Sequence, residues 1–189
     1  NTVPGTTGLV NFGTITSDDV GSASISSTLN YSCTNTGTTP GYVSVCLAAD
    51  GGDKPSAVIP RYMKTAPSNR ELAFNMTLSN GGIWGTRSSG VGVEYNSGPI
   101  YIPARLNPSN PSTISGKETI NTSLLSSNTQ AIPGTYNNIF NGGHTAMTIS
   151  TSTFQNFSNC LTGSQGTVRF PFTVQATVLP SCKVTAKPN

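Results

Sequence analysis

The chain has 189 residues, which suits one domain of ordinary size, or one domain with a short piece of a second. Only 9% of the residues are charged, against about 25% in an average domain, so a coiled coil, a charged tail and a charge-rich disordered segment are excluded. The net charge is only +3. The densest basic cluster, Arg61, Lys64 and Arg70, is too sparse to predict a nucleic-acid partner.

Apolar and polar residues alternate along several short segments, which is the period-two pattern of half-buried β-strands. In chain order these segments are 20–33, 42–47, 72–78, 100–102, 146–151 and 170–178. Clusters of Gly, Pro, Asn and Ser separate them and predict turns. A helix is expected at most as a single turn within 152–159. The sequence therefore predicts an all-β fold, an antiparallel immunoglobulin-like sandwich or barrel with long end loops.

Residues for catalysis or metal binding are scarce. His144 is the only histidine, so a zinc site with several imidazoles cannot form. The familiar nucleophile, phosphate-binding and metalloprotease motifs are missing from the sequence. The acidic residues Asp18, Asp19, Asp50 and Asp53 lack the spacing of an EF-hand. The sequence thus predicts a protein that is not an enzyme and that has no metal site and no cofactor.

Four cysteines, an even number, indicate an oxidising compartment such as a periplasm or the cell exterior. They allow three disulfide connectivities. A hairpin between Cys33 and Cys46 would bring those two together, which favours a Cys33–Cys46 disulfide and leaves Cys160 and Cys182 as a second pair. The alternative is that one or more of the four is a free buried thiol.

A series of short motifs follows one order along residues 9–180. The motifs are Asn11-Phe12-Gly13, Tyr31-Ser32-Cys33, Val45-Cys46-Leu47, Pro60-Arg61-Tyr62-Met63, Leu72-Ala73-Phe74-Asn75-Met76, Ile83-Trp84-Gly85, Ile100-Tyr101-Ile102-Pro103, Pro133-Gly134-Thr135-Tyr136 and Phe172-Thr173-Val174-Gln175-Ala176. In this order and spacing they resemble the spore coat U (SCPU) domain family, which includes subunits of archaic chaperone–usher pili of the Csu type. The resemblance implies that Trp84 is a core residue at the end of a strand.

Within that family the chain resembles the N-terminal domain of the two-domain tip adhesin subunit. Residues 1–8 offer Val3 as their only strong apolar residue, so they do not resemble the alternating donor segment of a shaft subunit. The final strand, 170–178, belongs to this domain, so donor-strand complementation is not needed. We therefore expect an SCPU-like tip domain over 1–179, followed over 180–189 by a linker and the truncated start of a second pilin domain. Cys182 would then pair with a cysteine of that second domain, which leaves the Cys160–Cys182 pair open.

A tip domain of this family implies attachment of a bacterial cell to hydrophobic, abiotic or host surfaces and the formation of biofilms. Its expected partners are the next pilus subunit and, during assembly, a periplasmic chaperone and an outer-membrane usher, with the finished protein outside the cell at the pilus tip. Three uncharged loops are candidate surface-binding tips. Their candidate residues are Gly90, Val91, Gly92 and Val93 in the first loop, Leu124 and Leu125 in the second, and Thr38 and Pro40 in the third.

Each candidate also has a structural interpretation. Val91 and Val93 are equally consistent with a strand, Leu124 and Leu125 with the edge of the core, and Thr38 and Pro40 with an ordinary hairpin.

Two further functions remain open. A lectin-like or protein-receptor-binding tip would use Tyr95, Tyr101, Asn96 and Arg87, which lie close together in the sequence and combine aromatic rings with polar groups. A structural pilus subunit would bind no ligand.

Overall fold

The computed structural model describes residues 8–86, 91–129, 131–155 and 167–181, and these residues form strands and loops without a helix. Their strands are β1 (Leu9–Ile15), β2 (Ser24–Asn35), β3 (Gly41–Ala49), β4 (Arg61–Thr65), β5 (Glu71–Thr77), β6 (Tyr95–Ile102), β7 (Ser112–Leu124), β8 (Gly134–Phe140), β9 (Thr145–Ser152), β10 (Thr167–Val168) and β11 (Phe172–Val178). The predicted all-β fold is confirmed. In this part of the chain we find no helix with the length and apolar character needed to span a membrane.

The strands form two sheets. The larger sheet has the order β1-β11-β8-β4-β5-β7-β2, and the smaller has the order β10-β9-β3-β6. Neighbouring strands are antiparallel except β1, which runs parallel to β11. The two edge strands of the larger sheet, β1 and β2, contact each other, so this sheet nearly closes on itself. The architecture lies between a sandwich and a barrel, as predicted.

Aromatic side chains fill the space between the sheets. The indole of Trp84 stacks on Phe170 and Phe172 with ring centroids 6.2 Å apart in each pair. Phe172 in turn stacks on Phe140 with centroids 4.4 Å apart. The indole N–H of Trp84 donates a 2.9 Å hydrogen bond to the carbonyl of Leu47 in the smaller sheet, so its one polar atom is satisfied. Trp84 is therefore a core residue.

The Cys33–Cys46 disulfide predicted from the sequence is wrong. Cys33 is buried with a free thiol, and Cys46 belongs to a disulfide with a different cysteine. The strands on either side of the β2–β3 connection enter different sheets, and they do not form the hairpin that the prediction assumed. Cys33 points into the core, whereas Cys46 alternates with core-facing Val45 and Leu47 and so lies on the other face of its sheet. Cys160 and Cys182 are outside the described residues.

Candidate functional site

The long ladder between β2 and β7 separates two ends of the domain. Asn35 pairs with Ser112 at one end, and Ser24 pairs with Ser123 at the other. At about 3.3 Å per residue these two pairs are about 36 Å apart. The β3 and β9 strands reach the first end where Tyr42 pairs with Ser152. We call this end, made of residues 36–40, 101–111 and 151–155, the apolar end.

Large apolar side chains are unusually exposed at the apolar end. Leu106 is 81% exposed, Phe154 is 76% exposed and Tyr101 is 53% exposed. These three are the most exposed large apolar residues in the described part of the chain. Arg105 is the single charged residue of this end. Exposed apolar groups with almost no charge around them are typical of a surface that binds another apolar surface.

Hydrogen bonds fix the loops of the apolar end to one another. The side-chain amide of Asn35 donates to the carbonyls of Thr39 and Pro103, at 2.9 Å each, and so joins the β2–β3 and β6–β7 connections. The main-chain N–H of Arg105 donates a 2.9 Å hydrogen bond to the carbonyl of Gly37 across the same junction. The side chain of Asn107 accepts a 3.0 Å hydrogen bond from the N–H of Ser109 in a local turn. The loop that carries Leu106 is thus held in place before any ligand arrives.

The structure divides the predicted loop tips between two regions. Thr38 and Pro40 are exposed at the apolar end. Val91, Gly92 and Val93 follow the loop that contains Trp84, and Val93 forms a β-bridge with Trp84 and is 48% exposed. Gly90 lies outside the described residues. The first and third predicted loops therefore do not form one surface.

Leu124 is not a loop tip. It is the last residue of β7, is only 4% exposed and belongs to the core between the sheets. Leu125, the next residue, is half-buried, and its N–H donates to the carbonyl of Ala73. Both residues lie at the end of the β2–β7 ladder that is opposite to the apolar end. The alternative that Leu124 lies at the edge of the core is therefore correct.

Two of the residues suggested for a lectin-like site, Tyr95 and Tyr101, do not lie on one face of the sheet. The register between β3 and β6 shifts between Ser44 and Cys46, where β6 contains one extra residue, a β-bulge. Because of this bulge, Tyr101 pairs with Tyr42 on the outer face, while Tyr95 turns inward. The hydroxyl of Tyr95 lies 3.0 Å from that of Tyr31 inside the domain. Arg87 lies outside the described residues.

Sequence reasoning missed Leu106 and Phe154, the two most exposed large apolar residues among those that the structure describes. Leu106 stands in a stretch rich in Pro, Asn and Ser, and Phe154 directly follows the alternating pattern of β9. For Leu106 the available signal was a single large apolar residue next to a cluster of turn residues, because such a residue has no core to face.

A cluster of ionisable side chains lies at the opposite end of β3. The imidazole Nδ1 of His144 is 2.9 Å from a carboxylate oxygen of Asp50, and both side chains are mostly buried. Arg169 donates a 2.7 Å hydrogen bond to the carbonyl of Thr145 nearby. Within the described ranges no three His, Cys, Asp or Glu residues are arranged to hold a metal ion. The chemistry of this cluster is that of a structural hydrogen bond between an imidazole and a carboxylate.

The described residues thus define an all-β fold between a sandwich and a barrel, with one apolar end that carries a single charged residue, Arg105. No protein-family model matches the chain, and no curated protein matches it by sequence. Three solved structures from fimbrial systems resemble it.

The first is the CsuC–CsuE complex of a chaperone and a tip adhesion subunit from archaic chaperone–usher Csu pili of Acinetobacter baumannii. The sequence identity is 15% and the TM-score is 0.43, and the match covers 94% of this chain and 61% of that one. The second is AggA, the major subunit of aggregative adherence fimbriae type I of Escherichia coli, with 16% identity, a TM-score of 0.43 and coverage of 88% and 89%. The third is CfaE, the adhesive subunit of CFA/I fimbria of enterotoxigenic Escherichia coli, with 14% identity, a TM-score of 0.44 and coverage of 89% and 46%. The chain spans about three fifths of the first structure's length and less than half of the third's.

Proposed function

We propose that this chain is an adhesive subunit of a bacterial surface fibre of the chaperone–usher kind, and that it attaches cells to uncharged, hydrophobic surfaces through its apolar end. The observation that carries the proposal is the exposure of Leu106, on a loop held by hydrogen bonds, and of Phe154, at an end whose only charged residue is Arg105. The ordered series of SCPU-like motifs supports the link to such fibres. Thr38 and Pro40 belong to the same proposed surface.

The direction of β11 supports the proposal that the apolar end points away from the rest of a fibre. β11 runs from Phe172 to Val178, which pairs with Gly134 and with Ile15. The chain therefore leaves the sheet on the side opposite to the apolar end. A following domain or subunit attached there would leave the apolar end free, which is the orientation that a tip adhesin requires. A periplasmic chaperone, an usher and a following subunit are the partners that this assignment implies, with biofilm formation as its result.

The expected strength of the contact is modest for one molecule. Burying a Leu or Phe side chain contributes about 1.5–3 kcal/mol, so two such residues give about 3–6 kcal/mol before the cost of immobilising the protein. Many fibres on one cell would convert this weak contact into firm attachment, because each later contact forms at a high local concentration.

The test is adsorption of the purified chain to polystyrene and to clean glass. We expect Leu106→Asp with Phe154→Asp to weaken adsorption to polystyrene by at least about tenfold, since a charge in each contact must be desolvated. A matched control, Ile132→Asp with Leu179→Asp, replaces two partly exposed apolar residues at the opposite end and should adsorb like the unaltered chain. Circular dichroism establishes that each variant is folded. Equal adsorption by both variants would contradict the proposal.

A third variant separates this surface from the loops expected from the sequence. Val91→Asp with Leu125→Asp changes two residues that lie away from the apolar end. We expect this variant to adsorb normally. Loss of adsorption here, with none in the Leu106 and Phe154 variant, would transfer the adhesive surface to the loops around Trp84 and β7.

A further inference from the structure

A cavity of about 430 Å³ opens at the apolar end, beneath the connection between β2 and β3. Its apolar lining includes Cys33, Val43, Ile102 and Ile149, one residue from each of the strands β2, β3, β6 and β9, and also Pro40 and Tyr42. The two sheets part here because the chain crosses from one to the other between β2 and β3. The volume lies in the lower part of the range for small-molecule sites, about 300–1,000 Å³.

The described residues that line the cavity include no Asp, Glu, Lys, Arg or His. Their polar groups are neutral and belong mainly to threonine and serine, with Thr39 and Thr151 on the exposed side. Burial raises the pKa of the Cys33 thiol, which keeps it protonated at neutral pH. An ionised ligand would lose its hydration in this cavity and gain no opposite charge.

The contacts that brace the apolar end also fix the rim of the cavity in place. Asn35 lines the cavity and ties the β2–β3 connection to Pro103. The backbone at Gly41 passes so close to β9 that an added Cβ would lie 2.8 Å from the carbonyl oxygen of Ser152. The cavity therefore exists before a ligand binds, which reduces the entropic cost of binding.

We propose that this cavity is a binding site for small uncharged amphiphiles, molecules with an apolar ring system or short hydrocarbon chain and at most a few neutral polar groups. The apolar base binds the hydrocarbon part of the ligand. The hydroxyl groups at the mouth form hydrogen bonds with its polar part. The site does not depend on the two residues that carry the adhesive proposal, because neither Leu106 nor Phe154 lines the cavity, although Pro40 belongs to both surfaces.

The first experiment compares two fluorescent probes that differ by one charged group. N-phenylnaphthylamine is neutral, and anilinonaphthalenesulfonate has the same ring frame with a sulfonate added. Titrated into the 189-residue chain, the neutral probe should saturate one site, and the sulfonate should bind at least about tenfold more weakly. Absence of saturation by the neutral probe, or equal affinity for both probes, would overturn the proposal.

The second experiment places the site. Thr151 is exposed in β9 at the mouth of the cavity, so Thr151→Trp fills the mouth with a side chain that strands accept readily. Thr28→Trp is the matched control, because Thr28 is an exposed strand residue of β2 away from the cavity. We expect Thr151→Trp to weaken binding of the neutral probe at least about tenfold and Thr28→Trp to leave it unchanged. Equal affinity in the two variants would refute this location.

A third measurement needs no variant of the cavity. In the isoleucine-methyl-labelled chain, the neutral probe should shift the NMR signals of Ile102 and Ile149 and leave that of Ile25, at the far end of β2, in place. Shifts at Ile25 alone would overturn the proposal. The variant with Leu106→Asp and Phe154→Asp should retain probe binding, and so failure of the adhesive function and failure of the cavity site can be told apart.

Discussion

Arg61 shows how one residue at the start of β4 holds distant segments together. Its guanidinium is fully buried and donates to four main-chain carbonyls: those of Asp50 at 2.8 Å, Val58 at 3.4 Å, Ala49 at 3.0 Å and Trp84 at 2.6 Å. Burial lowers the pKa of Arg61 to about 10, which leaves it charged at neutral pH. The carbonyl dipoles therefore accept the hydrogen bonds of a buried cation. These bonds connect the end of β3 and the Trp84 loop to β4.

Arg61→Met should lower the free energy of unfolding by about 3 kcal/mol or more, because each buried carbonyl left without a donor costs about 1–3 kcal/mol. Arg61→Lys should also destabilise the domain, since a single ammonium cannot reach the carbonyls that the planar guanidinium spans. Arg70→Met, at an exposed position, is the matched control and should change stability by about 0.5 kcal/mol or less. Urea unfolding measures all three. An Arg61→Met variant as stable as the control would show that the carbonyls find water instead.

At the scale of the strand, the sequence was informative where inward-facing residues are apolar. β11 was predicted almost to its bounds because Phe172, Val174, Ala176 and Val178 all face the core. β7 is the longest strand and was missed, because its inward positions include Gly116, Glu118 and Thr122. For Gly116 and Glu118 the reason is local, and only the tertiary structure reveals it.

Two of those β7 positions illustrate the point. Gly116 is required because an added Cβ would lie 2.3 Å from the ring of Tyr31. Glu118 is buried because its carboxylate accepts hydrogen bonds from the N–H of Ser79 at 2.7 Å and from its hydroxyl at 3.1 Å. The bulge in β6 is a similar case, since it turns Tyr95 and Tyr101 to opposite faces. Alternation within one segment cannot reveal a bulge, because the bulge depends on the register with the partner strand.

The position of β11 inside the larger sheet predicts how fast its amide hydrogens exchange with solvent. β11 is paired with β8 on one side and β1 on the other, and its core-facing side chains are buried. Its amide hydrogens should therefore exchange much more slowly than those of β10, a two-residue strand at the edge of the smaller sheet. Hydrogen–deuterium exchange with mass spectrometry tests this. Exchange in β11 as fast as in β10 would mean that the domain does not hold its final strand firmly and depends on a strand from a partner.

At the scale of the whole molecule, the register of β2 against β7 decides which residues can act together. The apolar end and the loop that begins at Leu125 are about 36 Å apart along the ladder, so one flat surface cannot contact both. Composition and alternation predicted uncharged loops but not how they group, because grouping depends on which strands share an end. Thr38 and Pro40 therefore join Leu106 and Phe154, residues distant in the sequence, while Leu125 is separated from them.

This separation predicts that a bulky group blocks adhesion from one end only. Thr38→Cys and Thr129→Cys each place an exposed thiol, the first at the apolar end and the second in the loop after β7. A large polyethylene-glycol maleimide attached at residue 38 should abolish adsorption to polystyrene, because the polymer keeps Leu106 and Phe154 from reaching the surface. The same polymer at residue 129 should leave adsorption unchanged. The unaltered chain treated with the reagent corrects for any reaction at buried Cys33. If the polymer blocks adsorption equally from both positions, attachment does not occur through a single end, and the apolar end loses its special role.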